Sequence, residues 1–277
     1  MTYIPGEIQT HDGLTLATKV WPAAHSKANI VFVHGYLEHC NRYDHIAQFF
    51  NNHGYSFYAY DQRAHGLSDG DRSYLKDISL LVQDLDQFTN QTISADQPFY
   101  YLCHSMGGLI VLSQILLNNG NTDNLKGLVM SAPFIRPSKD LAPLLQKVSH
   151  ILGLLLPRLK TLPADPQEIS RDPSVVKNYI EDPLIYHGRV HARSAQQLLK
   201  QMKLLRPHYK DLSTPYLLMH GTNDKLSEFE GSVDLHKESV SEDKQFMALE
   251  NFKHDLMNEL GSHKILQSIV NWMDGRI

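Results

Sequence analysis

The chain has 277 residues, of which 42% are hydrophobic, enough to build one large domain with a full core. Its 26 Lys and Arg against 30 Asp and Glu give a formal net charge of −4, which excludes the basic surface that nucleic-acid binding needs. The only two cysteines, Cys40 and Cys103, argue against a disulfide framework, and no Cys and His spacing predicts a metal site. The first residues lack the basic and apolar regions of a secretory signal, so we expect a cytoplasmic protein.

Strand-like and helical segments alternate along the chain. The central strand-like segments are continuously apolar, as in Ile30 to Val33, which is typical of parallel strands covered by helices on both faces. We therefore predict an α/β fold in a single domain over 1–277, with a mostly parallel sheet and ligand contacts at the carboxyl ends of its strands. Strands are predicted over 14–21, 29–34, 56–60, 99–102, 125–131, 216–220 and 245–249, and helices over 44–52, 75–94, 107–118, 231–239 and 262–273.

Two loops follow early strands. The first begins His34-Gly35-Tyr36, which by itself is typical of a plain turn. If a nucleophilic serine lies elsewhere in the chain, this loop can donate the backbone N–H of Tyr36 to an oxyanion. The second loop, over 61–68, is rich in polar side chains, and we interpret them as hydrogen-bonding to loop backbone near the site rather than as catalytic.

Ser105 lies between a predicted strand and a predicted helix. A serine on such a sharp turn is typical of the nucleophile elbow of α/β-hydrolases, where small residues are needed two positions before and after it. Gly107 meets that need, and Cys103 stands where glycine is usual. An ordinary turn at the end of a buried strand would show the same four residues, but the apolar segments on both sides favour the elbow. The amide of Met106 then becomes the second oxyanion donor.

The partners of such a serine are expected in the order acid, then histidine. Asp224 stands just beyond the strand over 216–220, where its carboxylate can orient an imidazole. His254 stands in the loop between the strand over 245–249 and the last helix. Three partners at three strand ends, in the right order, predict a catalytic triad of Ser105, Asp224 and His254.

These motifs resemble those of monoacylglycerol lipases and bacterial lysophospholipase-like serine hydrolases of the α/β-hydrolase superfamily, over nearly the whole chain. The resemblance implies the same triad, with the amides of Tyr36 and Met106 as the oxyanion hole. It also implies that Arg42 and Tyr179 line the polar end of a substrate pocket. The residues that carry it are His34-Gly35, Glu38-His39, Arg42-Tyr43, Asp61 to Ser68, Gly70, Arg72, His104 to Gly108, Ser131-Ala132-Pro133, Ser170-Arg171-Asp172, Tyr179, Asp182-Pro183-Leu184, Gly221, Asp224 and His254.

The sequence departs from the family pattern at three positions. Cys103 replaces the usual glycine of the elbow, and Ala64 replaces the glycine of Arg-Gly-His-Gly. Neither change removes a chemical group. Met257 stands where some members have a second pocket histidine, which affects how a glycerol group would be recognised.

The segment over 134–207 interrupts the alternation of strands and helices, and we interpret it as a helical cap inserted over the site. Its apolar residues fall at helical spacing, and the stretch between Pro143 and Pro157 is too short to span a bilayer. One interpretation is a helix packed on the core; the other is an apolar lid that makes peripheral contact with a membrane. The apolar residues are Leu141, Leu144, Leu145, Val148, Ile151, Leu152, Leu155 and Leu159.

The sequence thus predicts a carboxylic ester hydrolase that works through an acyl-serine intermediate, without a metal or organic cofactor. Single-chain lipid esters are the expected substrates, with monoacylglycerol first and lysophospholipid second. An aminopeptidase or amidase on the same fold is an alternative, and it would need a carboxylate cluster in the cap, for which Glu168, Glu181 and Asp182 are available. A non-catalytic binder of hydrophobic ligands is a third interpretation, and the intact order of the triad argues against it.

Overall fold

The computed structural model describes residues 3–118, 120, 123–137 and 143–277, with the backbone alone at 143–147, 149 and 162. In this part of the chain the strands are β1 (Ile4–Gln9), β2 (Thr15–Trp21), β3 (Ala28–Val33), β4 (Tyr55–Tyr60), β5 (Phe99–His104), β6 (Leu125–Ser131), β7 (Lys160–Pro163), β8 (Arg189–His191), β9 (Tyr216–Gly221) and β10 (Lys244–Leu249). The helices are α1 (Asp44–Asn52), α2 (Ile78–Thr92), α3 (Met106–Leu117), α4 (Pro143–Leu155), α5 (Pro173–Glu181), α6 (Ala192–Leu205), α7 (Phe229–Glu238) and α8 (Ser262–Asp274).

The central layer is a mixed sheet in the order β1-β2-β4-β3-β5-β6-β9-β10. Every pairing from β4 to β10 is parallel, whereas β1 and β2 pair antiparallel with each other and β2 pairs antiparallel with β4. The predicted mostly parallel α/β sheet is confirmed. The sequence pattern did not predict β1, because this edge strand is largely exposed and contains Pro5 and Gly6, so it lacks a buried repeat.

Helices cover both faces of the sheet, and β3 shows why its sequence is continuously apolar. Successive side chains of a strand point to opposite faces. Val31 and Val33 pack into the core on one face, while Ile30 and Phe32 pack into the core on the other, and all are fully buried. One predicted boundary differs: α2 begins at Ile78 rather than at 75, because the Asp77 side chain accepts a hydrogen bond from the Ser79 amide and caps the helix there.

Between β6 and β9 the chain inserts α4, β7, α5, β8 and α6, a segment that we call the insertion. β7 and β8 form a separate antiparallel pair that the sequence did not predict. Leu141 lies outside the described residues, and so do the side chains of Leu144 and Leu145. Within the described ranges, no helix has both the length and the apolar character needed to cross a membrane.

Candidate active site

Ser105 occupies the tight turn between β5 and α3. Its backbone has φ 51° and ψ −119°, outside the regions that L-residues prefer. The turn has room only for small residues: a Cβ on Gly107 would lie 2.1 Å from the Val33 carbonyl oxygen, and one on Gly108 would lie 2.6 Å from Pro133 Cβ. Cys103 is fully buried in β5. The geometry is that of the predicted strand-turn-helix elbow.

The structure brings the three predicted triad residues together. His254 Nε2 lies 2.8 Å from Ser105 Oγ, and His254 Nδ1 lies 2.7 Å from Asp224 Oδ2. Because a carboxylate only accepts, the hydrogen of the neutral ring is on Nδ1, and Nε2 is free to accept from the serine hydroxyl. Ser105 follows β5, Asp224 follows β9 and His254 follows β10, so the parallel sheet places all three at one edge.

The Asp224 carboxylate is buried and ionised. Burial alone would raise its pKa, but the charge of His254 and hydrogen bonds from His220 and His254 outweigh it and hold the pKa of Asp224 well below its usual range. Its Oδ1 also accepts from the amides of Leu226 at 2.8 Å and Ser227 at 3.0 Å. Asp224 is therefore a carboxylate held in a fixed position next to His254 Nδ1.

The His254 imidazole has a raised pKa. Burial alone would lower it, but the carboxylates of Asp224, Asp255 and Glu38 outweigh burial and raise the pKa of His254 above its ordinary value. The ring is therefore a stronger base than a free histidine and is well suited to hold the serine proton.

The loop after β3 runs beside the serine. A Cβ added to Gly35 would lie 3.1 Å from Ser105 Cβ, which shows how closely this loop approaches. The next residue is Tyr36, and neither its amide nor that of Met106, the first residue of α3, donates to another described residue. Both predicted donors thus lie next to Ser105 with N–H groups that no other described residue accepts.

Polar side chains of the loop over 61–68 hydrogen-bond to loop backbone near the site, as predicted. The Gln62 amide donates to His34 Nε2 at 2.9 Å, and the Gln62 side chain donates to the His34 carbonyl at 2.6 Å. Asp61 accepts from the amides of Cys40 and Leu67, each at 2.8 Å. Ala64 has φ 66°, in the left-handed region that favours glycine, so its substitution for glycine costs backbone strain and no functional group.

Arg42 lies in a buried group of charges next to the site. Its guanidinium forms ion pairs with Glu38 and, at 2.6 Å, with Asp255 Oδ2, and it lies 5.0 Å from the centre of the Tyr179 ring. Burial would raise the pKa of Glu38, but the charges of Arg42, His104 and His34 lower it to about 2. Sequence reasoning missed Asp255 altogether. Its position next to His254 and the four-residue spacing of Glu38 and Arg42 were the available signals.

A cavity of about 490 Å³ lies above the serine. Ser105 and His254 line it, together with the charged and aromatic groups of Arg42 and Tyr179. The rest of the wall is mostly apolar and comes largely from the insertion: Phe134, Val148, Leu152, Ile169, Leu198 and Leu199. Such a cavity, apolar with a few polar groups that converge, is typical of a small-molecule site. Among the described residues, no group of three or more His, Cys, Asp or Glu side chains could hold a metal ion.

The profile of the hydrolase family described as "Serine aminopeptidase, S33" matches residues 24–261 of the chain. The chain belongs to this family. It is similar to the monoacylglycerol lipase of Mycolicibacterium smegmatis, with 32% identity over 266 residues that cover 94% of this chain and 93% of the relative. It is also similar to the monoglyceride lipase of Rattus norvegicus, with 33% identity over 273 residues that cover 96% and 89% of the two chains. The motif-based family assignment is confirmed.

Two solved structures of related hydrolases match the fold over its full length. The Paleococcus ferrophilus monoacylglycerol lipase superimposes with a TM-score of 0.83 at 25% identity, covering all of both chains. A soluble variant of the monoglyceride lipase of Saccharomyces cerevisiae, in complex with a substrate analogue, gives a TM-score of 0.89 at 20% identity, covering 100% of this chain and 97% of that one. The fold is therefore that of an α/β-hydrolase.

Proposed function

We propose that this hydrolase cleaves the ester bond of monoacylglycerol to give glycerol and a fatty acid, with Ser105 as the nucleophile. The observation that carries the proposal is the hydrogen-bonded series from Ser105 through His254 to Asp224, at the floor of a largely apolar cavity. Its similarity to relatives named monoacylglycerol lipase supports the same substrate.

The reaction follows from the geometry. Ser105 Oγ attacks the ester carbonyl carbon while His254 Nε2 takes the hydroxyl proton, and Asp224 stabilises the imidazolium that results. The carbonyl oxygen becomes an oxyanion, which the amides of Tyr36 and Met106 stabilise. When the intermediate collapses, the bond to the glycerol oxygen breaks and His254 returns the proton to that oxygen. Water then attacks the acyl-serine while His254 takes its proton; the bond to Ser105 Oγ breaks, His254 returns the proton to Ser105 Oγ, and the fatty acid leaves.

The two parts of the cavity wall match the two parts of the substrate. The apolar side chains from the insertion suit an acyl chain, because burying apolar surface is favourable by about 25 cal/mol per Å². Arg42 and Tyr179 suit the glycerol hydroxyls, to which each can donate a hydrogen bond. A lysophospholipid is the second candidate, since the cationic side chain of Lys225 also lines the cavity, where it pairs with Glu168 at 3.1 Å.

An aminopeptidase reaction is less well supported, although the family description names it. Such an enzyme needs carboxylates that are available to hold a free amine. In this structure Glu168 pairs with Lys225 at 3.1 Å, and Asp182 pairs with His39 at 2.9 Å. Glu181 pairs with Lys177 on the exposed side of α5, and none of these three carboxylates lines the cavity. Of the carboxylates that do line it, Glu38 and Asp255 pair with Arg42, and Asp165 accepts a hydrogen bond from the Gln167 amide at 2.9 Å. We therefore favour the ester substrate.

The insertion, as a cap over 134–207, is proposed to contact a lipid surface. The apolar residues of helix α4 differ in exposure: Val148 and Leu152 line the cavity, whereas Ile151 is 56% and Leu155 is 73% exposed and form what we call its outer face. Leu154, Leu156 and Leu159 add to the outer face. An exposed apolar face with cationic neighbours such as Arg158 is typical of peripheral binding to a membrane.

A turnover panel with labelling by a fluorophosphonate probe tests the function. We expect the probe to label the wild-type protein and to leave Ser105→Ala unlabelled, with the highest kcat/KM on monoacylglycerols, then lysophospholipids, then aminoacyl amides. Highest kcat/KM on the amides would favour the aminopeptidase. A protein that binds monoacylglycerol but shows neither labelling nor turnover would be a binder, and the proposal would be wrong.

A further inference from the structure

Asp224 is contacted by two imidazole rings, and only one of them reaches the serine. His254 Nδ1 lies 2.7 Å from Asp224 Oδ2, and His220 Nε2 lies 3.2 Å from the same oxygen. His220 is fully buried near the end of β9. Neither the motif analysis nor the reaction described above gives this second histidine a role.

Three polar side chains lie close to the Oδ2 atom of Asp224, which has only two lone pairs to accept hydrogen bonds. Ser227 Oγ lies 2.9 Å from it, so the side chains of His254, His220 and Ser227 all converge on one oxygen. A carboxylate oxygen offers two lone-pair positions. His254 Nδ1 and Ser227 Oγ are in hydrogen-bonding geometry with this oxygen, whereas His220 Nε2 contacts it at 3.2 Å and also faces the Ser227 carbonyl oxygen at 3.4 Å. A change in any one of the three groups therefore alters how much of the carboxylate charge acts on the others.

The surroundings of His220 fix which nitrogen faces the carboxylate. Because Asp224 is ionised and can only accept, Nε2 of His220 carries a hydrogen. The opposite ring atom, Nδ1, lies 2.7 Å from the hydroxyl of Ser232 in α7, and the ring packs edge-on against Phe229 at 5.6 Å between centres. Ser232 is fully buried, so the ring is held on both sides with no access to water.

We propose that His220 is a positioning residue, which holds Asp224 Oδ2 in place and limits how much of its negative charge reaches His254. The inference rests on the proposed function, since it requires His254 to be the base. Without the second donor, the carboxylate charge would act more fully on the His254 imidazolium. His254 would then stay protonated to higher pH, and a smaller fraction of it would be able to accept the Ser105 proton at neutral pH.

The other charged groups around His254 do not depend on His220. Asp255 and Glu38 raise the pKa of His254 from the opposite side, and Arg42 pairs with both of them. His104 packs against the His254 ring at 4.7 Å between centres. A substitution at His220 leaves all four groups in place, so a change in the pH profile would report on Asp224 alone.

The test compares His220→Met with His220→Gln. Methionine has a similar volume and packs well against Phe229 but donates no hydrogen bond, whereas glutamine places an N–H group near the former Nε2 position. We expect the acid limb of kcat/KM, measured on a soluble ester, to move to higher pH by about one pH unit in His220→Met and to stay in place in His220→Gln. The rate of fluorophosphonate labelling should shift in the same way.

Ser232→Ala is the matched control, because it removes the other hydrogen-bond partner of the same ring. We expect it to keep the wild-type acid limb. An acid limb that stays in place in His220→Met would overturn the inference, and so would a loss of activity that glutamine does not rescue.

A measurement on the wild-type chain keeps the inference testable if His220→Met fails to fold. Nitrogen NMR of histidine-labelled protein should show the hydrogen of His220 on Nε2; a hydrogen on Nδ1 alone would overturn the inference. Full activity in Ser105→Ala would instead refute the proposed function. Loss of activity in Asp224→Asn with an unshifted His220→Met would refute only the role of His220.

Discussion

The backbone amide of Asp255 donates a hydrogen bond to the carbonyl oxygen of Ile169, at 2.8 Å. The residue next to His254 is thereby joined to the insertion. A buried carboxylate strengthens this junction: Glu259 accepts from the amide of Arg171 at 2.9 Å and from the hydroxyl of Ser170 at 3.0 Å. The loop that carries His254 and the segment that covers the cavity therefore hold each other in place.

The junction predicts that Glu259→Gln destabilises the protein. The amide would place an N–H group against backbone donors that now meet an acceptor, at a cost of about 1–3 kcal/mol for each unsatisfied buried group. Urea unfolding measures the change in the free energy of unfolding. Glu250→Gln is the matched control, because Glu250 is exposed on the same loop region. Equal stability of the two variants would show that the Glu259 hydrogen bonds contribute little.

The proposed triad predicts that each of three substitutions causes a large loss of activity and that these losses do not add. Ser105→Ala, His254→Ala and Asp224→Asn should each lower kcat by about 10⁴- to 10⁶-fold while the fold survives, because the groups act as one unit. The double variant of Ser105 and His254 should be no worse than the worse single variant. Steady-state kinetics with circular dichroism checks both points, and near-normal activity in Asp224→Asn would assign the acid to another carboxylate.

The charges around His254 predict a shifted pH profile. His254 can take the Ser105 proton only when it is neutral, and its raised pKa keeps it protonated to higher pH. Activity should therefore fall as the pH drops through a value above about 6.5, the ordinary pKa of histidine. The pH dependence of kcat/KM on an uncharged ester measures this midpoint. A midpoint below 6.5 would mean that burial of the ring outweighs the three carboxylates.

Substitutions at Cys103 test how tightly the turn around Ser105 is packed. Its side chain is fully buried, and its sulfur lies 3.6 Å from the Val129 carbonyl oxygen. Cys103→Ala and Cys103→Gly should stay active, whereas Cys103→Leu should lose about 1–3 kcal/mol of stability by overpacking, along with activity. Thermal unfolding and ester turnover measure the two effects. A leucine variant with both properties intact would show a looser turn.

The outer face of α4 predicts a membrane-dependent phenotype. Ile151→Asp with Leu155→Asp should weaken binding to lipid vesicles and lower turnover of long-chain monoacylglycerol, and should spare p-nitrophenyl acetate, which needs no docking. Val240→Asp is the control, because Val240 is equally exposed but lies outside the insertion. Equal losses on both substrates together with lower stability would indicate ordinary core packing.

The sequence did not predict which apolar side chains of α4 line the cavity and which are exposed. Spacing placed Leu152 and Leu155 in one apolar stripe, yet the first lines the cavity and the second faces outward. A helical repeat identifies apolar positions but not which neighbour each one contacts. The proximity of Ser105, Asp224 and His254 was predictable because each follows an apolar strand of a parallel sheet. The contacts of Asp255 and His220 were not, because they depend on side-chain distances that only the folded chain sets.

The backbone conformation of Ser105, with φ 51°, lowers the stability of the protein. An L-residue held in such a conformation costs about 1–3 kcal/mol, whereas glycine adopts it freely. The hydrogen bonds from the Ser105 amide to Ser131 O and from the Phe134 amide to Ser105 O hold the turn against that strain. Selection for stability alone would therefore favour glycine at position 105. Glycine would relieve this strain but would lack the hydroxyl that the proposed reaction uses as its nucleophile.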